Sequence, residues 1–194
     1  LSDELRGLDI KDKYSIRAYH GSPYDFDRFS LDAVGTGDGA RLQGRGINLA
    51  EEKETAEGYK RGPTGRLYET EINASPDEFL DWDLPLSEQS EYIQNVLRQN
   101  ENKLIKDLNL GTSIENIINA PNQDGEGLYS LIRTERRGEK EASEYLSSLG
   151  IKGTRSKDSF ALDRNKVPSK YVIFDDSIID IKDKYSRKVV PLEA

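Results

Sequence analysis

The segment most informative about the architecture is Tyr14-Ser-Ile-Arg-Ala-Tyr-His20, which runs directly into Gly21-Ser22-Pro23. Its seven residues mix apolar and polar side chains that favour a β-strand. The Gly-Ser-Pro run predicts that the strand stops there. His20 is the single histidine among 194 residues, so any imidazole chemistry falls on the end of this strand.

Outward from this strand, the sequence predicts short strands interrupted by helices. Residues 33–46 hold five glycines and predict a mobile loop, after which Gly46-Ile-Asn-Leu-Ala50 predicts a short strand. An acidic helix is expected at about 51–60, and alternation over Leu67–Ile72 predicts a half-buried strand. The remaining chain predicts helices near 87–107, 112–119, 126–136 and 139–149, a polar loop over 153–168, and a strand at Tyr171–Phe174. This order indicates an α+β fold with a helical insertion at about 86–150.

Composition restricts the classes of function. Hydrophobic residues make up 35% and charged residues 33%, and ten Tyr, five Phe and one Trp indicate a folded chain. Its length favours a single domain over 1–194. The net charge of −8 argues against a fold that coats itself on nucleic-acid phosphates. No stretch approaches the roughly 18 apolar residues of a membrane span, and neither cysteine nor a metal-ligand spacing occurs.

One heptapeptide occurs twice. Asp9-Ile-Lys-Asp-Lys-Tyr-Ser15 recurs letter for letter at Asp180–Ser186, and seven identical residues are very unlikely by chance. A duplicated linker in a multi-domain protein gives such a pattern. The sequence also holds no Met, so we expect the chain to be part of a longer polypeptide.

Three segments, in order, resemble the ADP-ribosyltransferase superfamily, in the branch of diphtheria toxin and the poly(ADP-ribose) polymerases. They are Ala18-Tyr-His-Gly-Ser22, then Gly44-Arg-Gly-Ile-Asn-Leu-Ala50 followed by Tyr59, then Ser169-Lys-Tyr-Val-Ile-Phe-Asp-Asp176. Further stretches at 25–29, 80–89 and 171–179 are similar to transferase domains of phage and mobile-element polyvalent proteins. The resemblance covers roughly residues 16–182.

The resemblance implies a fold of two small, roughly perpendicular sheets that form an NAD cleft. It implies that His20 hydrogen-bonds the adenosine ribose and that the Gly21 backbone pairs with the nicotinamide carboxamide, with Ser22 completing the motif. Tyr59 would stack on the nicotinamide ring, whose positive charge is attracted to an aromatic face. Three arginines surround the glycine-rich loop and are candidates to pair with the pyrophosphate, namely Arg28, Arg41 and Arg45.

The chain departs from the family at two catalytic positions. Asn48 stands where the family has Tyr, and Lys170 stands where it has Glu. That Glu stabilises the oxocarbenium-like cation formed as nicotinamide leaves, and one such group contributes about 3–4 kcal/mol. The sequence leaves open an acid near the last strand or an acid from another segment: Asp175, Asp176, Glu69, Glu71, Glu141 or Glu144.

The resemblance implies transfer of ADP-ribose from NAD to a macromolecule, either protein or RNA, by a bacterial or phage toxin or effector domain. The alternative is a degenerate transferase fold that binds NAD or a protein partner without efficient transfer. Two residues also have structural interpretations. On these interpretations, His20 is a hydrogen-bonded structural histidine before a turn. Tyr59 is then a core aromatic on an amphipathic helix.

Overall fold

The computed structural model describes residues 15–34, 43–60, 64–158 and 167–186. Within them, seven strands form one mixed sheet: β1 (Ile16–Ser22), β2 (Ile47–Ala50), β3 (Arg66–Ile72), β4 (Phe79–Asp81), β5 (Gly153–Lys157), β6 (Ser169–Ile173) and β7 (Ile179–Ser186). The helices are α1 (Lys53–Glu57), α2 (Glu91–Gln99), α3 (Glu101–Asp107), α4 (Ile114–Ile118), α5 (Gly125–Arg136) and α6 (Glu139–Ser148). The fold is therefore α+β, with five of these helices inserted between β4 and β5.

The strand order is β4-β5-β6-β2-β1-β3-β7. β4 and β5 are parallel, and every other neighbouring pair is antiparallel. β1 and β2 share the single register pair Tyr19↔Ala50, whereas β1 pairs with β3 along all seven residues. The expected two sheets are thus one hydrogen-bonded sheet, whose four-stranded and three-stranded halves meet at a one-residue junction.

Two hydrophobic clusters pack against opposite faces of this sheet. The first joins the inserted helices to Val172 on β6 and to Phe174 just beyond it. The second lies under β1, β2, β3 and β6 and includes Tyr68 and Tyr171, both almost fully buried. Because side chains alternate along a strand, Val172 and Tyr171 point to opposite faces. The helical insertion therefore covers the face that carries Val172.

Local hydrogen bonds set the helix boundaries. Ser90 accepts a hydrogen bond from the Ile93 N–H and begins α2, and Asp124 accepts one from the Gly127 N–H and begins α5. The single helix expected at 87–107 is wrong: it starts at Glu91 and breaks at Asn100, whose side-chain amide donates to the Val96 carbonyl. The helix expected at 51–60 is shorter, at Lys53–Glu57.

Strands were predicted at the positions of β1, β2, β3 and β6, whereas β4, β5 and β7 were not predicted. β1 does not stop at His20 but continues through Gly21 and Ser22, because β3 pairs with both residues. Residues 153–157, expected to be loop, form β5. Residues 35–42 of the glycine-rich segment, which include Arg41, lie outside the described residues.

The second copy of the heptapeptide lies in β7, at the edge of the sheet. Its strand structure does not fit a linker there. The first copy, apart from Ser15, lies outside the described residues.

Candidate functional site

The three motif segments lie on the adjacent strands β6, β2 and β1. In a strand, the main-chain N–H and C=O groups of successive residues point alternately towards one neighbouring strand and the other. The Glu51 N–H donates to the Ser169 carbonyl on the β6 side (3.0 Å), so Asn48 and Ala50 present their polar groups to β1. Ala50 is opposite Tyr19, and the strands share no further register pair among the described residues. The main-chain N–H and C=O of Gly21 therefore face the opening between the two strands.

His20 bridges this opening. Its Nδ1 lies 2.7 Å from the Asn48 carbonyl oxygen. Because a carbonyl only accepts, Nδ1 carries the proton, and the neutral ring keeps Nε2 as an acceptor. Burial lowers the pKa of His20, opposed by the hydrogen bond to Asn48, so the ring is neutral at pH 7.

Aromatic rings surround this histidine. Phe29 meets the imidazole edge-on with ring centroids 5.2 Å apart, and Phe26 and Tyr68 lie at 6.2 Å. These contacts give His20 a structural role, which was one of the two interpretations of the sequence. Nε2 takes no part in the bond to Asn48.

Helix α1 lies directly on Gly21. A Cβ at this position would stand 1.8 Å from the Ala56 carbonyl oxygen and 3.1 Å from the Lys60 nitrogen. A side chain at position 21 is therefore excluded by the backbone of α1 and of the residues after it. Tyr59 belongs to that same turn and is 43% exposed. The interpretation of Tyr59 as a core aromatic is therefore wrong, because the residue is exposed to solvent just after α1.

Asn48 and Lys170 lie on the same face of the sheet. Asn48 pairs with Val172, and Ala50 pairs with Lys170, two residues away along each strand. The Asn48 side chain is exposed. The structure therefore places the two departures from the family pattern near each other, on the face that α1 covers.

Lys170 is bound to a buried carboxylate. Its Nζ lies 2.8 Å from Oδ1 of Asp158, whose side chain is completely buried. The other oxygen of Asp158 accepts a hydrogen bond of 2.6 Å from the Thr55 hydroxyl on α1. The position where the family has an acid thus holds a cation paired with an acid from the end of β5.

Asp158 was missed by the sequence interpretation, because 153–168 was expected to be loop. Ser156 pairs with Lys170 in the β5–β6 ladder, so Asp158 lies two residues further on the same face. Recognition of residues 153–157 as a strand antiparallel to β6 would have identified it.

The other candidate acids are engaged elsewhere. Glu69 binds Arg17 and the hydroxyl of Tyr185, which raises the pKa of Tyr185 to about 12. Glu69, Tyr19, Ala50 and Lys170 lie opposite one another on four neighbouring strands. The Cα atoms of Glu69 and Lys170 are therefore three strand spacings apart, about 14–15 Å across the sheet. Glu71 pairs with Lys182. Neither glutamate of β3 is at the position of Lys170.

Two further pairs of acids have structural contacts or an exposed location. Asp175 accepts hydrogen bonds from the N–H and hydroxyl of Ser177, and Asp176 accepts one from the Leu31 N–H. Glu141 and Glu144 are exposed on α6. Among the described residues, no contact is seen between Lys170 and any of these four acids.

The remaining predicted binding residues lie at the end of β1, after β1 and before β2. The Ser22 hydroxyl is buried and accepts a hydrogen bond from the Tyr24 N–H. Arg28 is exposed. The Arg45 guanidinium donates to the Leu31 carbonyl at 3.4 Å, and its main-chain N–H donates to the Tyr129 hydroxyl and Ser143 Oγ. Arg45 therefore ties the glycine-rich segment to the segment after β1 and to the inserted helices.

Within the described residues, no three His, Cys, Asp or Glu side chains come together as a metal site. In the same part of the chain, no helix has the length and apolar character needed to cross a membrane. No protein-family model, no curated protein and no solved structure matches the chain.

Proposed function

We propose that this chain is an NAD-dependent ADP-ribosyltransferase with its NAD cleft at the β1–β2 junction. The observation that carries the proposal is the convergence of three motif segments, far apart in sequence, on adjacent strands around the Gly21 main chain. The single register pair between β1 and β2 supports the proposal of a cleft between the two halves of the sheet. The acceptor is a macromolecule, protein or RNA, and the domain acts as a bacterial or phage toxin or effector.

The main chain and Tyr59 account for nicotinamide binding. A primary carboxamide has one acceptor oxygen and an NH₂ donor, which match the N–H and C=O of Gly21. The exposed Tyr59 ring, which follows the helix packed on Gly21, gives the cationic nicotinamide an aromatic face worth about 0.5–2 kcal/mol. Asn48 offers an amide in place of the second aromatic ring. His20 Nε2 accepts a hydroxyl hydrogen bond from the adenosine ribose.

In the transfer, the bond between nicotinamide and ribose C1 breaks, and its electron pair leaves with nicotinamide. A nucleophile of the acceptor forms the new bond to C1 and releases its proton to solvent. Positive charge develops on the ribose between these events, so a nearby anion stabilises it. Asp158 supplies a carboxylate in contact with the Lys170 side chain, and it reduces the repulsion from Lys170 through their 2.8 Å contact.

A second function is favoured by one observation, the pairing of Asp158 with both Lys170 and Thr55. The ammonium group of Lys170 offsets the charge of this carboxylate, so less of that charge is available to stabilise a cation on the ribose. On this alternative, the domain binds NAD, or a protein partner, without efficient transfer.

Calorimetric titration of NAD tests the binding proposal. We expect Tyr59→Ala to weaken binding by about 1–2 kcal/mol through loss of the aromatic face. Tyr92→Ala is the matched control, because Tyr92 is 38% exposed on α2, within the helical insertion. Equal affinities in the native chain and both variants, or no binding at millimolar NAD, would remove the basis of the proposal.

Incubation with a labelled NAD analogue and bacterial lysate separates the two functions. Transfer to protein or RNA supports the enzyme, and the fraction that carries the label identifies the acceptor class. We expect Asp158→Asn to reduce transfer. NAD binding without any nicotinamide release, in lysate or alone, would establish the non-catalytic alternative.

A further inference from the structure

The edge strand β7 contains the whole second copy of the repeated heptapeptide. β7 is the last strand of the sheet order, and it pairs with β3 along Arg66–Ile72. The sequence of residues 180–186 is identical to that of residues 9–15. Two segments of one chain thus have the same set of side chains for the same edge of β3.

The contacts of β7 come from the repeated residues themselves. Lys184 Nζ binds Asp27 at 2.6 Å and Asp25 at 3.2 Å. The Tyr185 hydroxyl donates to Glu69 at 2.8 Å. The repeat supplies three further contacts, namely Asp180 with the Asn73 amide, Lys182 with Glu71, and Ile181 with the apolar cluster under the sheet. A strand with the first copy's sequence can make every one of these contacts.

The first copy cannot take this register within its own molecule. Ser15 directly precedes Ile16, which lies opposite Ile72. In the register of β7, the residue equivalent to Ser186 lies opposite Arg66, six residues away along β3. Six residues of strand span about 20 Å, and one peptide bond does not bridge that distance. A first copy docked on β3 must therefore come from another molecule.

We propose that the β3 edge is a docking site for Asp9–Ser15 of a second copy of this chain, which replaces β7 there. In the native chain, β7 has the advantage over the first copy of another molecule, because β7 is tethered at an effective concentration of about 1 mM. In a sample at about 10 µM protein, the first copy competes at only that concentration. The exchanged form is then about one molecule in a hundred. Anything that weakens β7 in the receiving molecule increases that share.

Single cysteines test the exchange, since the chain has none of its own. Asp180 lies opposite Glu71, and Asp9 is its equivalent in the first copy. Opposed residues in antiparallel strands have Cα atoms about 4.5–5.5 Å apart, within the range for a disulfide. Asp9→Cys protein is mixed with Glu71→Cys protein under mild oxidation, and the mixed disulfide is identified by mass spectrometry. Ser2→Cys protein, substituted outside the repeat, is the control for random collision.

The proposal also requires that one substitution act in opposite directions in the two copies. Added to the Asp9→Cys protein, Lys13→Glu places a carboxylate against Asp25 and Asp27 and lowers the yield of mixed disulfide. Added to the Glu71→Cys protein, Lys184→Glu weakens the competing β7 and raises the yield. Exposed ion pairs of this kind change an equilibrium constant roughly 1.5- to 5-fold.

Both opposite changes, with a yield above the Ser2→Cys control, are the expected result. A yield no higher than that control overturns the proposal. A fall in yield with Lys184→Glu also overturns it, because β7 and the first copy would then not compete for one edge.

Discussion

The pair formed by Lys170 and Asp158 gives the sharpest test of the site. In Lys170→Glu, a carboxylate replaces the ammonium group whose nitrogen is 2.8 Å from Asp158. Loss of one partner of a buried ion pair costs about 3–5 kcal/mol. The Lys170 side chain keeps 21% exposure, so we take the lower end, about 3 kcal/mol. For a chain of this size, 1 kcal/mol shifts Tm by about 2–4 °C, and the expected fall is about 6–12 °C.

Thermal unfolding followed by circular dichroism measures this effect. The neutral variants Lys170→Gln and Asp158→Asn, with their combination, form a double-mutant cycle. Residues in direct contact show a coupling of about 0.5–3 kcal/mol, so the two costs should not add. A Tm within 2 °C of the native value for Lys170→Glu, or additive costs in the cycle, would refute the buried pair.

Variants at Lys170 and Asp158 also separate an effect on stability from an effect on catalysis. The combination Lys170→Glu with Asp158→Asn puts a carboxylate where the family has its Glu and removes the charge that would repel it. We expect nicotinamide release from NAD to rise by up to about a hundredfold, because an anion there stabilises the developing cation. Lys170→Gln with Asp158→Asn is the control without a carboxylate, and equal rates in the two combinations would contradict the assignment of this position.

Three further outcomes are expected. Gly21→Ala should lower the free energy of unfolding in urea by about 1–3 kcal/mol through overpacking against α1; the control is Gly58→Ala, whose Cβ would meet its nearest atom at 3.6 Å, and equal costs would contradict the close approach. Asn48→Tyr should tighten nicotinamide binding by about 0.5–2 kcal/mol, since it restores an aromatic face on an exposed side chain; unchanged affinity in calorimetry would place position 48 outside the cleft. The pKa of His20 is lowered from 6.5 by folding, so the unfolded chain binds the proton first as pH falls. The stability of the native chain relative to His20→Asn should therefore be fully present above pH 6.5 and decline below it, by at most about 1.4 kcal/mol per pH unit, and a pH-independent difference in Tm would contradict this.

The sequence predicts those elements whose signal is local. β2 and β6 carry short apolar runs between turn residues, and α6 is followed two residues later by Gly150, whose φ of 101° favours glycine. These elements were located within a few residues. Their order along the chain also gave the α+β class.

β5 was missed because its burial does not show in its residue types. Thr154 and Ser156 are 1% and 3% exposed, although both are polar. The Thr154 hydroxyl donates to the Gln43 carbonyl, a partner 111 residues away that no local pattern reveals. Because β5 was not predicted, Asp158 was not among the candidate acids, which came only from β3, α6 and the residues after β6.

Lys170 is connected to α1, the helix that precedes Tyr59, through Asp158. Lys170 holds Asp158, Asp158 accepts the Thr55 hydroxyl, and Thr55 lies on α1, four residues before Tyr59. A family Glu at position 170 would repel Asp158 and loosen this chain of contacts. Lys170 therefore helps to fix α1, and on the proposed function α1 positions the segment that carries Tyr59. It follows that Lys170→Gln should weaken NAD binding even where no chemistry occurs, whereas loss of a purely electrostatic effect on the transition state would change the rate alone.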